Sequence, residues 1–124
     1  MAKPTRDDAQ LMVQLAQFFV QSGAAQAGVW IWSDGFESEY EAFKERFGRG
    51  STEWGHVAAM AGFHETVGTL WKHDLFSEEL LFDWLAPHLL WDRMKGIVLG
   101  FRDESGEPRL YENFEAMAAR AREL

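Results

Sequence analysis

The sequence predicts an all-α fold: a single compact bundle of about five helices around a central apolar helix at residues 52–73. Three observations carry the prediction. Apolar residues recur at steps of four and three in several separate segments, the spacing that draws one stripe along a helix. Within 52–73 the apolar residues spread around most of the helix instead of keeping to one stripe, as in a helix enclosed by others. The one segment that reads locally as strand, Val29-Trp30-Ile31-Trp32, has no partner elsewhere in the chain, and a lone strand cannot satisfy its ladder.

In chain order, Asp7 and Asp8 sit at the positive end of a first helix. Its apolar face is Leu11, Met12, Leu15, Phe18 and Phe19, and Gly23 is its stop. Ala24–Trp32 reads as a short buried helix starting after Ser22, and Ser33-Asp34-Gly35 as a turn. Phe36, Tyr40, Phe43 and Phe47 then share one face of a surface helix, with Glu37, Glu41, Lys44 and Glu45 opposite. Ser51 or Thr52 caps the central helix, which carries Trp54, Val57, Met60, Phe63, Val67, Leu70 and Trp71. Gly62 and Gly68 inside it each cost about 1 kcal/mol relative to Ala, which close approach of another backbone would justify, with a functional cleft as the alternative.

Ser77 opens a long helix, with Phe76 stapled onto Leu81. Its stripe is Leu80, Trp84, Pro87, Trp91, Met94, Val98 and Phe101, along a helix of about seven turns. Pro87 lies too deep in this pattern to be a first-turn proline, so a kink is expected near Asp83–Pro87. Arg102–Pro108 reads as a polar loop. Leu110, Phe114, Met117, Ala121 and Leu124 mark a last helix, with Arg120 and Arg122 at its negative end.

At 124 residues the chain is expected to be one domain, 7–124, behind a flexible segment 1–6. Six Trp, ten Phe and two Tyr supply its core. Burying one such side chain stabilises by about 2–3 kcal/mol, which argues against disorder. With no Cys, disulfides, thiolate metal sites and cysteine nucleophiles are excluded. The first residues carry no apolar core and do not read as a signal peptide. No run of 18 apolar residues exists, so no membrane insertion is expected, and the cytoplasm is the expected location. The net charge is −8, spread over both halves without a basic stripe, so nucleic acid and anionic membrane are not expected partners.

Phe63-His64-Glu65-Thr66-Val67-Gly68, Asp74-Leu75-Phe76, Leu81-Phe82-Asp83, Trp91 and the closing Pro108–Glu115 segment, with its Tyr111-Glu112-Asn113-Phe114-Glu115, form a recognisable set. Together they resemble a family of small bacterial helical proteins that carries only a domain-of-unknown-function label. The resemblance covers roughly 53–120. It implies a helical fold and a bacterial source, and it supplies no activity, cofactor or catalytic residue. Many members of that family look membrane-tethered through an N-terminal hydrophobic helix, which this sequence does not display.

Candidate chemistry is sparse. Glu53 and His56 have the spacing of half a di-iron site, but no second Glu-x-x-His exists. His64-Glu65 lacks the second His of a zinc motif, because position 68 is Gly. Asp83, His88 and Asp92 fall within one segment and read as solvated helix positions. No Ser lies in a nucleophile elbow. No catalytic, cofactor or metal residue is therefore assigned. Glu65 stands out within an apolar helix. It lies either on an exposed stripe with Thr69 and Lys72, or in a polar cluster with Arg93, Arg102 or Arg109. Glu65, His64, His88, Arg109 and Asn113 are the polar ligand candidates.

Strong packing signals without a catalytic constellation predict a non-enzymatic interaction or regulatory domain. The surplus of aromatics predicts a protein partner or self-association through an aromatic helix face. The alternative is a small-molecule binder or cryptic enzyme with a pocket between helices 52–73 and 77–101, using Glu65, His64 and His88.

Overall fold

A computed structural model describes residues 3–124. Among them the fold is all-helical, in seven helices: α1 (Arg6–Gln21), α2 (Ala24–Ile31), α3 (Tyr40–Arg46), α4 (Thr52–Lys72), α5 (Glu78–Trp84), α6 (Pro87–Ser105) and α7 (Glu112–Arg122). Thr5 starts α1 with a capping box: its hydroxyl accepts from the Asp8 amide, and the Asp8 carboxylate accepts from the Thr5 amide. The expected flexible segment 1–6 lies partly outside the described residues. Gly23, at φ 87, turns the chain from α1 directly into α2, so Val29–Ile31 is helix.

The long helix expected over 77–101 is two helices. The kink expected near Asp83–Pro87 is a complete break, and Pro87 is the first residue of α6. The pyrrolidine ring disfavours helical backbone at the residue before it: Ala86, at φ −117 and ψ 70, is non-helical, and Leu85 is extended. Pro87 thus costs no hydrogen bond, because a first-turn amide has no helical partner anyway. At the other end α6 outlasts its apolar stripe and runs through Ser105 until left-handed Gly106 stops it. The expected loop from Arg102 therefore begins only at Gly106. α3 is shorter than its aromatic stripe, starting at Tyr40 because Glu39 caps it, while Phe36 is buried outside the helix.

α4 packs against α2 and α7 and also touches α1, whereas α6 packs against α7 and α3. α4 buries Val57, Met60, Phe63 and Val67, as expected of the central helix. Gly100 seats the Tyr40 ring, where a Cβ would fall 2.1 Å from a ring carbon. Most of the aromatic surplus is interior, and Phe43, Phe63, Phe76 and Phe114 are fully buried.

Candidate interaction surface

α7 begins without a cap of its own. Tyr111, before its first turn, sits in the left-handed region at φ 58 and offers no side-chain cap. The amides of Asn113 and Phe114 would be orphaned. Glu65 of α4 takes them: its Oε1 accepts from the Asn113 amide at 2.9 Å and the Phe114 amide at 3.0 Å. Its Oε2 accepts from Asn113 Nδ2 at 2.8 Å, and the same amide group donates to Thr69 Oγ1 at 3.2 Å. A carboxylate on these two amides does the work of an N-cap side chain and meets the positive end of the helix dipole, though it comes from another helix. Gly68 lets the two helices meet, because a Cβ there would stand 2.7 Å from the Asn113 carbonyl oxygen. Gly62 has nothing within 4 Å, so close packing explains one of the two glycines.

Glu65 is half-buried and thus not on an exposed stripe, and its partners are not arginines. Arg93 donates to the carbonyls of Ile31 and Ser33. Arg102 donates to the Leu110 carbonyl and Glu115. Arg109 pairs with Glu112 at the exposed surface. His64 is buried beside Phe114, with ring centroids 4.9 Å apart and Nδ1 3.0 Å from the Met60 carbonyl. Burial pushes its pKa down to about 4, so it is neutral at pH 7. His88 stands by the other end of α7, where Arg122 reaches its carbonyl at 3.4 Å and also pairs with Asp92. The fold thus joins Glu65, Asn113 and His64 around the start of α7, leaves Arg109 on Glu112 at the exposed side of that start, and places His88 by the other end. Glu53 is half-buried, and His56 leans on Trp30 with ring centroids 5.7 Å apart.

An open cleft of about 730 Å³ lies where α1, α4, α5 and α7 meet, lined by Thr5, Asp8, Trp71, Phe76, Glu78 and Arg120 among others. Among its charged groups Asp8, Glu78 and Arg120 are engaged, while Lys3, Asp7 and Asp74 also line it. Asp8 holds the Ser77 amide at 2.9 Å, and Glu78 accepts from Arg120 at 2.7 Å and from the Trp71 indole at 3.3 Å. Arg120 holds the Glu78 carboxyl below its ordinary pKa. His64, Glu65 and His88 do not line this cleft. A smaller one, about 440 Å³, is floored by Tyr40, Trp54 and Phe101. There Glu104 accepts from the Tyr40 hydroxyl, from Lys44 at 3.1 Å and from Arg49 at 2.9 Å. The Tyr40 hydroxyl and the two cations hold the Glu104 carboxyl down to about 2, and burial lifts Tyr40 to about 12.

The outer side of α1 differs from every site above. Of its sixteen residues only Leu15 is buried. Leu11, Leu15 and Phe19 face the core. Opposite them Ala9, Val13, Ala16 and Val20 are all exposed and fall within about 60° of one another around the helix. Val13 is 59% and Val20 67% exposed, and with Met12, Ala16, Gln17 and Gln21 they line a shallow groove of about 500 Å³. On α2 Val29 is 78% exposed, and Trp32 after it is 56% exposed. Apolar periodicity singles out the inner face, where the larger side chains are. The signal for the outer face is charge: Ala9–Ser33, 25 residues, has no charged side chain in a chain that is 26% charged.

The family model described as Domain of unknown function (DUF4760) matches residues 5–121, so the chain belongs to that family. No curated protein and no solved structure matches it. Among the described residues no helix is long and apolar enough to cross a membrane.

Proposed function

We propose, with membership of this family of unknown function as the premise, that the chain is a non-enzymatic helical interaction domain whose contact face is the outer side of α1. The observation that carries this reading is the bare, uncharged stripe Ala9, Val13, Ala16 and Val20 on a helix whose other side already meets the core. Exposed aliphatic side chains gathered on one helix face gain free energy when a partner covers them. The groups that suggested chemistry, Glu65, Asn113 and His64, support the same reading, because each is occupied in holding α7 to α4 or in filling the core. The partner surface is aliphatic; the aromatic helix face expected from composition is turned inward.

A photo-crosslinking residue placed at Val13, Val20 or Glu45 in the full chain, expressed in cells, tests it. Protein adducts at positions 13 and 20 and none at exposed position 45 are the expected result. An absence of adducts at all three would overturn the reading. The 730 Å³ cleft favours small-molecule binding as a second reading, but Glu78 and Arg120 within it are paired with each other and Asp8 is held by the Ser77 amide.

A further inference from the structure

We infer that the outer face of α1 pairs with the same face of a second copy of this chain, antiparallel, about a two-fold axis passing between Gln14 and Leu15. This rests on the reading of the chain as an interaction domain and names its partner.

The spacing of the stripe carries the inference. Ala9, Val13, Ala16 and Val20 stand at steps of four, three and four, the seam of a helix pair. With the axis between positions 14 and 15, Ala9 of one copy meets Val20 of the other, and Val13 meets Ala16. Every contact then sets a small side chain against a larger one, the arrangement by which facing layers interdigitate. A parallel pair would set Val on Val and Ala on Ala, leaving gaps at both alanines. The sequence is thus self-complementary under the operation that relates two identical subunits in a closed dimer.

Charge selects the same occupant. Each copy carries a net charge of −8, so most of its surface repels a second copy. The Ala9–Ser33 run is the stretch that two copies can bring together without opposing like charges. An acidic or basic partner would find no charge on the stripe to recognise. An anionic membrane would find one cation, Arg6, at its end. The ends agree as well. α1 has no basic residue in its last turn, and the antiparallel arrangement brings Arg6 of each copy beside the C-terminal carbonyls of the other. Gln10, Gln14, Gln17 and Gln21, on the adjoining side, form an uncharged rim.

The size of the face sets the strength. Two four-turn helices cover on the order of 400 Å² per copy, against about 800 Å² per partner in stable complexes. The dimer is accordingly a weak, exchanging one.

The chain contains no Cys, so introduced cysteines report alone. Under mild oxidation at about 100 μM, Ala9→Cys mixed with Val20→Cys, and Val13→Cys mixed with Ala16→Cys, form disulfide-linked dimers, while Ala9→Cys alone does not. In sedimentation equilibrium the average mass rises from 14.2 kDa toward twice that value with concentration. Val13→Glu and Val20→Lys stay monomeric with unchanged thermal midpoints. A wild-type monomer at several hundred micromolar, a Val13→Glu dimer, or self-linkage of Ala9→Cys overturns the inference. Photo-adducts to a different protein beside a wild-type monomer overturn this inference and leave the interaction reading standing; no adducts at all overturn both.

Discussion

The start of α7 and the outer face of α1 put similar demands on the fold and receive opposite answers. Both expose groups that cost free energy in isolation: unpaired amides in one case, bare valines in the other. At α7 the chain supplies its own partner. Glu65 accepts the Asn113 and Phe114 amides, His64 and Trp91 pack on Phe114 at ring-centroid distances of 4.9 and 5.2 Å, and Gly68 clears the way. At α1, among the described residues, no element covers Val13 or Val20. The difference teaches where to look for a partner. The polar anomaly at Glu65 is resolved internally, and the face of α1 left uncovered is an apolar one without charge.

That contrast can be broken most sharply at its buried end. Trp91 is 8% exposed, and Trp91→Ala should destabilise by about 3–5 kcal/mol in chemical denaturation. A loss under about 1 kcal/mol would mean that the Phe114 region is not the anchor described.

Acid probes the same region through His64. Its folded pKa, about 4, lies below the ordinary 6.5, so as pH falls the unfolded chain takes up the proton first. This contribution to stability is complete above about pH 6.5 and is lost progressively down to about pH 4. Between pH 7 and pH 5 the wild type should lose about 2 kcal/mol from this source, and His64→Phe should lose less than half as much. Equal losses in both proteins would remove His64 from the account. Glu104 titrates lower: its depressed pKa stabilises above about 4.5 and ceases to do so as pH falls toward about 2.

Glu65→Ala should cost about 1–2 kcal/mol, the worth of a helix cap, and Glu65→Gln should recover part of it because the amide oxygen still accepts. Hydrogen exchange at the Asn113 and Phe114 amides should quicken in Glu65→Ala; unchanged protection would show that the carboxylate is not their partner. The smallest effect belongs to the other region. Val13→Glu should change stability by less than about 0.5 kcal/mol, as for an exposed site, while removing association. A larger destabilisation would mean that the outer face of α1 is covered within the monomer.

Much of this could be read from the residues. The four-three stripes specify helices, the all-round apolar pattern of 52–73 marks the central one, and Ser77 is visible as a cap because capping is local. Pro87 misleads by its position in a stripe: its neighbours continue the apolar spacing across a break, since side chains on two successive helices can line the same core. The candidate residues were partly legible. Glu65 and Asn113 are polar residues in costly places, and the cost is visible in sequence. That each is the other's remedy is not, because they are 48 positions apart.

By itself, then, the sequence determined the fold class, the central helix and the uncharged run at Ala9–Ser33, all consequences of local spacing and composition. Only the tertiary structure decided that Glu65 caps α7, that His64 is neutral filling, and that the run turns Ala9, Val13, Ala16 and Val20 away from the core. Such outcomes depend on which helices meet and at what separation. That is settled by long-range packing, where Gly68 against the Asn113 carbonyl or the side of α1 facing α4 counts for more than any neighbour in sequence.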